Sequence, residues 1–149
     1  MTLSEADIER ILAAARTIEE SLEILAGYRS MERNEYKHDS AVQDIVERRF
    51  VKLTEAALDI ARTLIIHERE SVPDSNPGTM RSLVDENIMS EETGDAMVQA
   101  ARFRNVLAHT YGDSIDDDTV YDALQDLQRY REFLGEIQAY LRDIEALDS

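Results

Sequence analysis

The sequence predicts an all-α protein, an up-and-down helical bundle of four main helices plus a short one. Apolar residues recur at intervals of three and four along most of the 149 residues, which is the period of an amphipathic helix. No segment of useful length alternates polar and apolar residues as a strand does. Short connections between the helices favour antiparallel neighbours. At this length, we expect one domain that spans residues 1–149.

The first predicted helix carries an apolar stripe from Ile8 to Leu25. Thr2 and Glu5 have the spacing of an N-terminal capping box, so the helix is expected to start there. Gly27 is suited to the position just after its C-terminus, where glycine is common.

The second predicted helix is the longest. Its apolar stripe runs from Val42 to Leu64; we expect the helix to begin within residues 34–39 and to fade by Glu70. About 30 helical residues extend roughly 45 Å. Such a helix projects past its neighbours, and an exposed apolar end predicts a homodimer.

Residues 73–78 contain both prolines of the chain and a glycine, and they predict a loop. Thr79 is the expected cap of a short helix that ends near Asn87. Ser90 is the expected cap of the next helix, whose inner face carries three apolar residues, Met97, Ala101 and Leu107.

Residues 112–114, Gly-Asp-Ser, predict the last break in the chain. One of the three aspartates at 116–118 is expected to cap a final helix, where acidic residues meet the positive end of the helix dipole. The apolar stripe of that helix runs from Val120 to Ile144.

Composition limits the class of protein. The chain has no cysteine, which excludes disulfides, thiolate catalysis and cysteine zinc sites and is typical of cytoplasmic proteins. No apolar run approaches the roughly 18 residues that a membrane span requires, and the acidic N-terminus is unlike a signal peptide. These features predict a cytoplasmic protein with no membrane partner. No metal-binding motif is present either, so we expect no metal and no cofactor.

The net charge of −16 comes from 32 acidic and 16 basic residues, and all but two of the basic residues are arginine. Such a surface repels nucleic acid in general. One interpretation is adaptation to high salt, where charges are screened within about 3 Å at 1 M and net charge says little about partners. The alternative is an ordinary acidic helical protein; we favour salt adaptation.

The most informative segment is RNVLAHTY, residues 104–111. Arg104 supplies a fixed cation shaped for phosphate, and His109 supplies a proton carrier near pH 7. Tyr111 supplies a hydroxyl. Each residue also has a purely structural interpretation: an arginine that pairs with a surface acid, a histidine at a helix end, and a half-buried tyrosine.

Helical geometry separates the two charged groups. Residues five apart are rotated by about 140°, so Arg104 and His109 do not share a face, whereas Asn105 and His109, four apart, do. Asn105 is therefore placed to orient the imidazole. A bend at the helix end, or a two-fold axis beside it, would bring the arginine and histidine side chains into one cleft. Such a cleft suits metal-independent RNA cleavage.

The pattern R-x4-H-x-Y, with Asn directly after the Arg, resembles the signature of HepT-type HEPN-domain toxins. The resemblance implies a small homodimeric HEPN-like helical bundle with an endoribonuclease site built from Arg104 and His109 across the dimer, with Asn105 orienting. It also implies a type VII toxin–antitoxin system. There, a minimal nucleotidyltransferase antitoxin, MntA, silences the toxin by AMPylation of the motif tyrosine, here Tyr111.

The resemblance makes RNA, not DNA, the expected substrate, and a narrow target such as a tRNA end or a local basic patch would reconcile it with the acidity. Arg102, Arg48 and Arg49 are the candidate contacts to RNA phosphates. A second hypothesis is a catalytically weak or inactive HEPN module that binds its nucleotidyltransferase partner or a nucleotide. A third is a structural helical dimer in which the motif is a coincidence.

Overall fold

The computed structural model describes residues 3–110 and 115–144. Within these residues all regular structure is helical, which confirms the all-α prediction. The helices are α1 (Glu5–Ala26), α2 (Arg33–Lys37), α3 (Ser40–Arg69), α4 (Asn76–Asp85), α5 (Glu91–His109), α6 (Asp117–Leu124) and α7 (Gln128–Asp143). Over the same residues, no helix combines the length and the apolarity that crossing a membrane requires.

Helix starts follow capping chemistry, and the structure corrects two of the predicted caps. The N-cap of α1 is Ser4, whose hydroxyl accepts from the Asp7 backbone N–H while the Asp7 carboxylate bonds back to Ser4. The predicted box from Thr2 to Glu5 is therefore wrong by two residues. The N-cap of α4 is Ser75 rather than Thr79, because Pro77 occupies the first turn, where a missing N–H costs nothing.

Two other predicted caps, Ser90 and Asp116, are confirmed, and the N-cap of α3 lies within the predicted range of residues 34–39. Asp39 caps α3, which ends at Arg69 as the apolar stripe predicted, and Ser90 caps α5. Asp116 caps α6 through the backbone N–H of Asp118. The predicted break at residues 112–114 lies outside the described residues.

The final helix is two helices rather than one. The backbone leaves the helical path between Leu124 and Gln128, and the Gln125 side chain donates a 3.0 Å hydrogen bond to the Arg29 carbonyl near the end of α1. The apolar stripe continues in register across this break, which is why periodicity alone did not show it. The five-residue α2 was also missed, because it is too short to carry a period.

α3 is the central helix and packs against α1, α2, α4, α5 and α6. The Phe50 ring on α3 meets the Phe103 ring on α5 edge to face, with centroids 5.3 Å apart. The Thr54 and Tyr130 hydroxyls are 3.1 Å apart in the core and join α3 to α7. The first contact sets α5 against α3, and the second sets α7 against α3.

α4 and α5 approach each other closely at Gly94. A methyl group at this position would collide with the Val84 side chain on α4. The glycine therefore permits the close packing that brings the start of α4 beside the second half of α5.

A set of exposed ion pairs joins α2 to α6, and we call it the α2–α6 network. The Asp118 carboxylate accepts from Arg33 Nη1 at 3.0 Å and from Lys37 Nζ at 2.9 Å, and Arg33 Nη2 also donates to Asp122 at 2.7 Å. The Arg33 guanidinium lies 4.7 Å from the Tyr121 ring centroid. Asp116 therefore caps α6 as predicted, whereas Asp118 ties α6 to α2.

Candidate active site

The second half of α5 carries Arg104, Asn105 and His109. Ala101 and Leu107 are buried on its inner face, as predicted, and they hold this stretch against the bundle. The Arg104 side chain is only 20 % exposed, whereas His109 at the end of the helix is exposed. The two side chains therefore have different surroundings, as their rotation around the helix implies. Tyr111 lies outside the described residues.

Arg104 is held by two neighbours. Its Nη2 lies 2.9 Å from Glu55 Oε2 on α3, an ion pair without hydrogen-bond geometry. Its Nη1 donates to Asn105 Oδ1 at 3.4 Å. Arg104 directly follows Phe103, whose ring packs on Phe50 of α3, so the packing of α5 on α3 also brings Arg104 to Glu55.

The far sides of Glu55 and Asn105 are joined by two more residues. Asn105 Oδ1 also accepts from Asn76 Nδ2 on α4 at 2.9 Å. The other amide atom of Asn76, Oδ1, accepts from Arg62 Nη2 at 3.0 Å. Arg62 Nη1 donates to Glu55 Oε1 at 3.2 Å, which closes a ring. We call Glu55, Arg62, Asn76, Arg104 and Asn105 the polar ring; it spans α3, α4 and α5.

The polar ring is a positive site in a strongly acidic chain. Its two arginines face one glutamate, which leaves a formal charge of about +1 where the whole chain carries −16. Arg104 Nε is buried and has no hydrogen-bond partner among the described residues. An unmade hydrogen bond of this kind costs about 1–3 kcal/mol. The arrangement can hold an anion at Arg104, since charge-assisted bonds to phosphate are the strong ones.

His109 ends α5, where the helix dipole favours a cation. Among residues 3–110 and 115–144, no hydrogen bond joins its ring to Asn105, whose amide oxygen is shared by Arg104 and Asn76. The imidazole is thus free of Asn105 here, and its exposure allows contact with a ligand or a second protein chain.

The three arginines predicted to contact RNA phosphates do not share one recess. Two of them border separate recesses beside the C-terminal end of α5. Arg48 borders a recess of about 350 Å³ with Lys52 and Thr110. Arg102 borders a separate recess of about 360 Å³ between α5 and α6. Leu107 and Ile115 line both recesses and divide them. Arg49 is partly buried and is not among the residues that line either one.

Sequence reasoning missed Glu55, Arg62, Asn76 and Lys52. Lys52 also lines a groove of about 700 Å³ between α1 and α3 that reaches Glu55. A partial signal was present, since Glu55 and Arg62 are seven residues apart and so lie on one face of a helix. Asn76 gave no signal, because nothing in its loop-like surroundings indicates a partner on α5.

Comparisons with known proteins agree with this fold. The family model described as ribonuclease HepT-like matches residues 18–137. The mRNA nuclease HepT of Shewanella oneidensis is 24% identical over 106 residues, which are 71% of this chain and 80% of that protein.

Two solved structures have the same fold. A toxin–antitoxin crystal structure with AMP-PNP has a TM-score of 0.79 at 21% identity and covers 88% of this chain and 98% of its own. A tri-AMPylated HEPN toxin of Shewanella oneidensis, in complex with the MNT antitoxin, has a TM-score of 0.72 at 23% identity, covering 91% and 98%. The resemblance found from the motif is confirmed, and the chain belongs to the ribonuclease HepT-like family.

Proposed function

We propose that this protein is the cytoplasmic toxin of a type VII toxin–antitoxin pair and acts as a metal-independent endoribonuclease. The observation that carries the proposal is Arg104, part-buried in a positive polar ring, on the same helix end as an exposed His109. Family membership supports a ribonuclease activity. The relative from Shewanella oneidensis is an mRNA nuclease, so mRNA joins tRNA as a candidate substrate.

The proposed reaction is an internal transesterification. His109 takes the proton from a ribose 2′-OH, and the 2′ oxygen attacks the adjacent phosphorus. The bond from phosphorus to the 5′ oxygen breaks, and an imidazolium donates the proton that the leaving oxygen needs. Arg104 stabilises the charge that builds on the phosphate oxygens. The products are a 2′,3′-cyclic phosphate and a free 5′-OH, and no further reactant is consumed.

A homodimer completes this site. One His109 cannot be base and acid in the same step, but a two-fold axis at the end of α5 would place the imidazole of a second copy opposite the first. Exposed apolar side chains near the motif support such a contact: Val106 is 54% exposed and Ile45 is 45% exposed. A partner surface would bury the exposed apolar area of both side chains.

The first test is cleavage of RNA in EDTA, with analysis of the product ends. We expect activity without metal and cyclic phosphate termini. His109→Ala should lower the rate by about 10²–10⁴-fold, the usual contribution of positioned proton transfer. The control is His38→Ala, since the His38 ring bonds the Asn34 carbonyl of the preceding helix at 2.7 Å and lies outside the motif. Cleavage that requires Mg²⁺, or that survives His109→Ala, contradicts the mechanism.

Regulation is proposed to act through Tyr111. The related toxin is AMPylated and bound by an MNT antitoxin, which supports a minimal nucleotidyltransferase as partner and AMP transfer to the motif tyrosine. A phosphoryl group two residues from His109 would compete with the substrate phosphate for Arg104. With the partner and ATP, the protein should gain AMP by mass spectrometry, and Tyr111→Phe should gain none. Tyr140→Phe is the control and should gain the wild-type mass.

A second candidate function is favoured by the acidic surface. A chain of charge −16 suits a HEPN module that binds its nucleotidyltransferase or a nucleotide without cutting RNA. Tight binding to the partner, together with no cleavage of total RNA, mRNA or tRNA, would select this function over the first.

A further inference from the structure

We propose that Glu55 is a positioning residue for Arg104, and that the polar ring is the device through which it acts. The inference rests on the proposed ribonuclease function and goes beyond the motif, because Glu55, Arg62 and Asn76 lie 49, 42 and 28 residues before Arg104. Arginine has a long flexible side chain, and its planar group is useful only when its orientation is fixed.

The ring fixes the Arg104 guanidinium at both of its terminal nitrogens. Glu55 Oε2 lies 2.9 Å from Nη2, and Asn105 Oδ1 accepts from Nη1 at 3.4 Å. Two contacts at separate nitrogens restrict the rotation of the group as well as its position. Asn105 is the next residue on the same helix, so Glu55 supplies the only anchor to Arg104 in the ring from another helix.

Glu55 is itself braced. Its second oxygen, Oε1, accepts from Arg62 Nη1 at 3.2 Å, two helical turns further along α3. Arg62 is held by Asn76 at 3.0 Å, and Asn76 bonds Asn105 at 2.9 Å. Each of the five side chains therefore has two neighbours in the ring. A shift of Glu55 would break contacts on both of its sides.

The charges distinguish positioning from simple neutralisation. One glutamate between two arginines leaves the ring positive, so Glu55 holds Arg104 without cancelling the attraction for a phosphate. Glu55→Gln removes a negative charge and loosens the guanidinium. The two effects have opposite consequences: RNA should bind as tightly as before or more tightly, while the bound complex reacts more slowly.

The test measures kcat and RNA affinity separately, with Glu55→Gln and Asp118→Asn as a matched pair. Each change turns a carboxylate bridged by two cations into its amide, but Asp118 lies in the α2–α6 network. We expect kcat of Glu55→Gln to fall about tenfold to a hundredfold, as misplaced catalytic groups do, with Kd for RNA equal to or below the wild-type value. Asp118→Asn should keep the wild-type kcat.

An unchanged kcat in folded Glu55→Gln overturns the inference, and so does a loss confined to RNA affinity. If that variant does not fold, Asn76→Ala opens the ring on its far side without changing its charge, and its kcat should fall; an unchanged kcat again overturns the proposal.

Nitrogen NMR of the Arg104 side chain tests the positioning role of Glu55 without a catalytic assay. The wild-type guanidinium should rotate slowly, and Glu55→Gln should release it. Slow rotation in a protein that cleaves no RNA would contradict the ribonuclease proposal, and the ring would then only hold the Arg104 side chain in place.

Discussion

The α2–α6 network and the polar ring both join helices, and they differ in burial and in charge balance. In the α2–α6 network, Arg33 and Lys37 meet Asp118 and Asp122, with the Arg33 side chain 46% exposed. In the polar ring, Arg104 is 20% exposed and two arginines share one glutamate. The first network is neutral and solvent-exposed, whereas the second has a net positive charge and shields Arg104 from water, although Glu55 is as exposed, at 44%, as Asp118, at 45%.

The difference separates a structural tie from a chemical site. Exposed, balanced ion pairs contribute little energy, because water and salt screen them. The polar ring keeps a net positive charge, and the Arg104 Nε–H has no hydrogen-bond partner within residues 3–110 and 115–144. In a chain of charge −16, this imbalance indicates where an anion can bind.

The largest expected contrast between the networks is catalytic. Arg104→Ala should lower kcat/KM for RNA by about 10²–10³-fold, the usual loss for one electrostatic donor to a transition state. Arg33→Ala, which removes the matching cation of the α2–α6 network, should leave kcat/KM within error. Initial rates on one RNA substrate measure both. Equal losses of kcat/KM in the two variants would show that the loss in Arg104→Ala reflects stability rather than chemistry.

The next effect concerns the packing that brings α4 to the ring. Gly94→Ala should destabilise the protein by about 1–3 kcal/mol, because the new methyl group collides with Val84. Gly135→Ala on α7 is the matched control: its methyl group meets nothing within 4 Å, so helix propensity should stabilise by about 0.5–1 kcal/mol. Urea unfolding measures both, and a loss in both variants would contradict the packing explanation.

A smaller effect tests whether RNA reaches beyond the ring. Arg48→Gln should weaken RNA binding and reduce the slope of log affinity against log salt by about 0.7, the value for one phosphate of a single strand. The control is Arg29→Gln, in the connection between α1 and α2, which should leave the slope unchanged. Filter binding over a salt series gives these slopes, and equal slopes would remove Arg48 from the RNA path.

The smallest effect belongs to the α2–α6 network and appears in acid. Hydrogen bonds from Lys37 and Arg33 lower the pKa of Asp118 below its usual value. A carboxylate with a lowered pKa stabilises the fold above its unfolded pKa, and this contribution is lost as the pH falls through the folded pKa. Asp118→Asn should therefore show a shallower fall of Tm between neutral and acid pH. Matching Tm curves for the two proteins would mean that the pair contributes nothing measurable.

The two regions also differ in how far the sequence predicts them. Arg104, Asn105 and His109 lie within one short motif, so the sequence predicts a role for each of them from spacing. The ring partners Glu55 and Asn76 are distant in sequence, and only the packing of three helices brings them to Arg104. Local periodicity describes one helix at a time, so it predicted α1, α3 and α5 well. It could not show the break after Leu124, where a side-chain bond to Arg29 turns the chain while the apolar stripe continues.

The polar ring draws its five members from α3, α4 and α5. No single helix or helical hairpin contains it, so it exists only when those three helices have packed. A nascent chain still emerging from the ribosome, or a protein partly opened by heat, lacks the assembled ring even though it carries the complete motif. If the proposed activity holds, cooperative folding is then the first safeguard of the cell that makes this protein. The proposed RNA-cutting state would then arise only together with the native state.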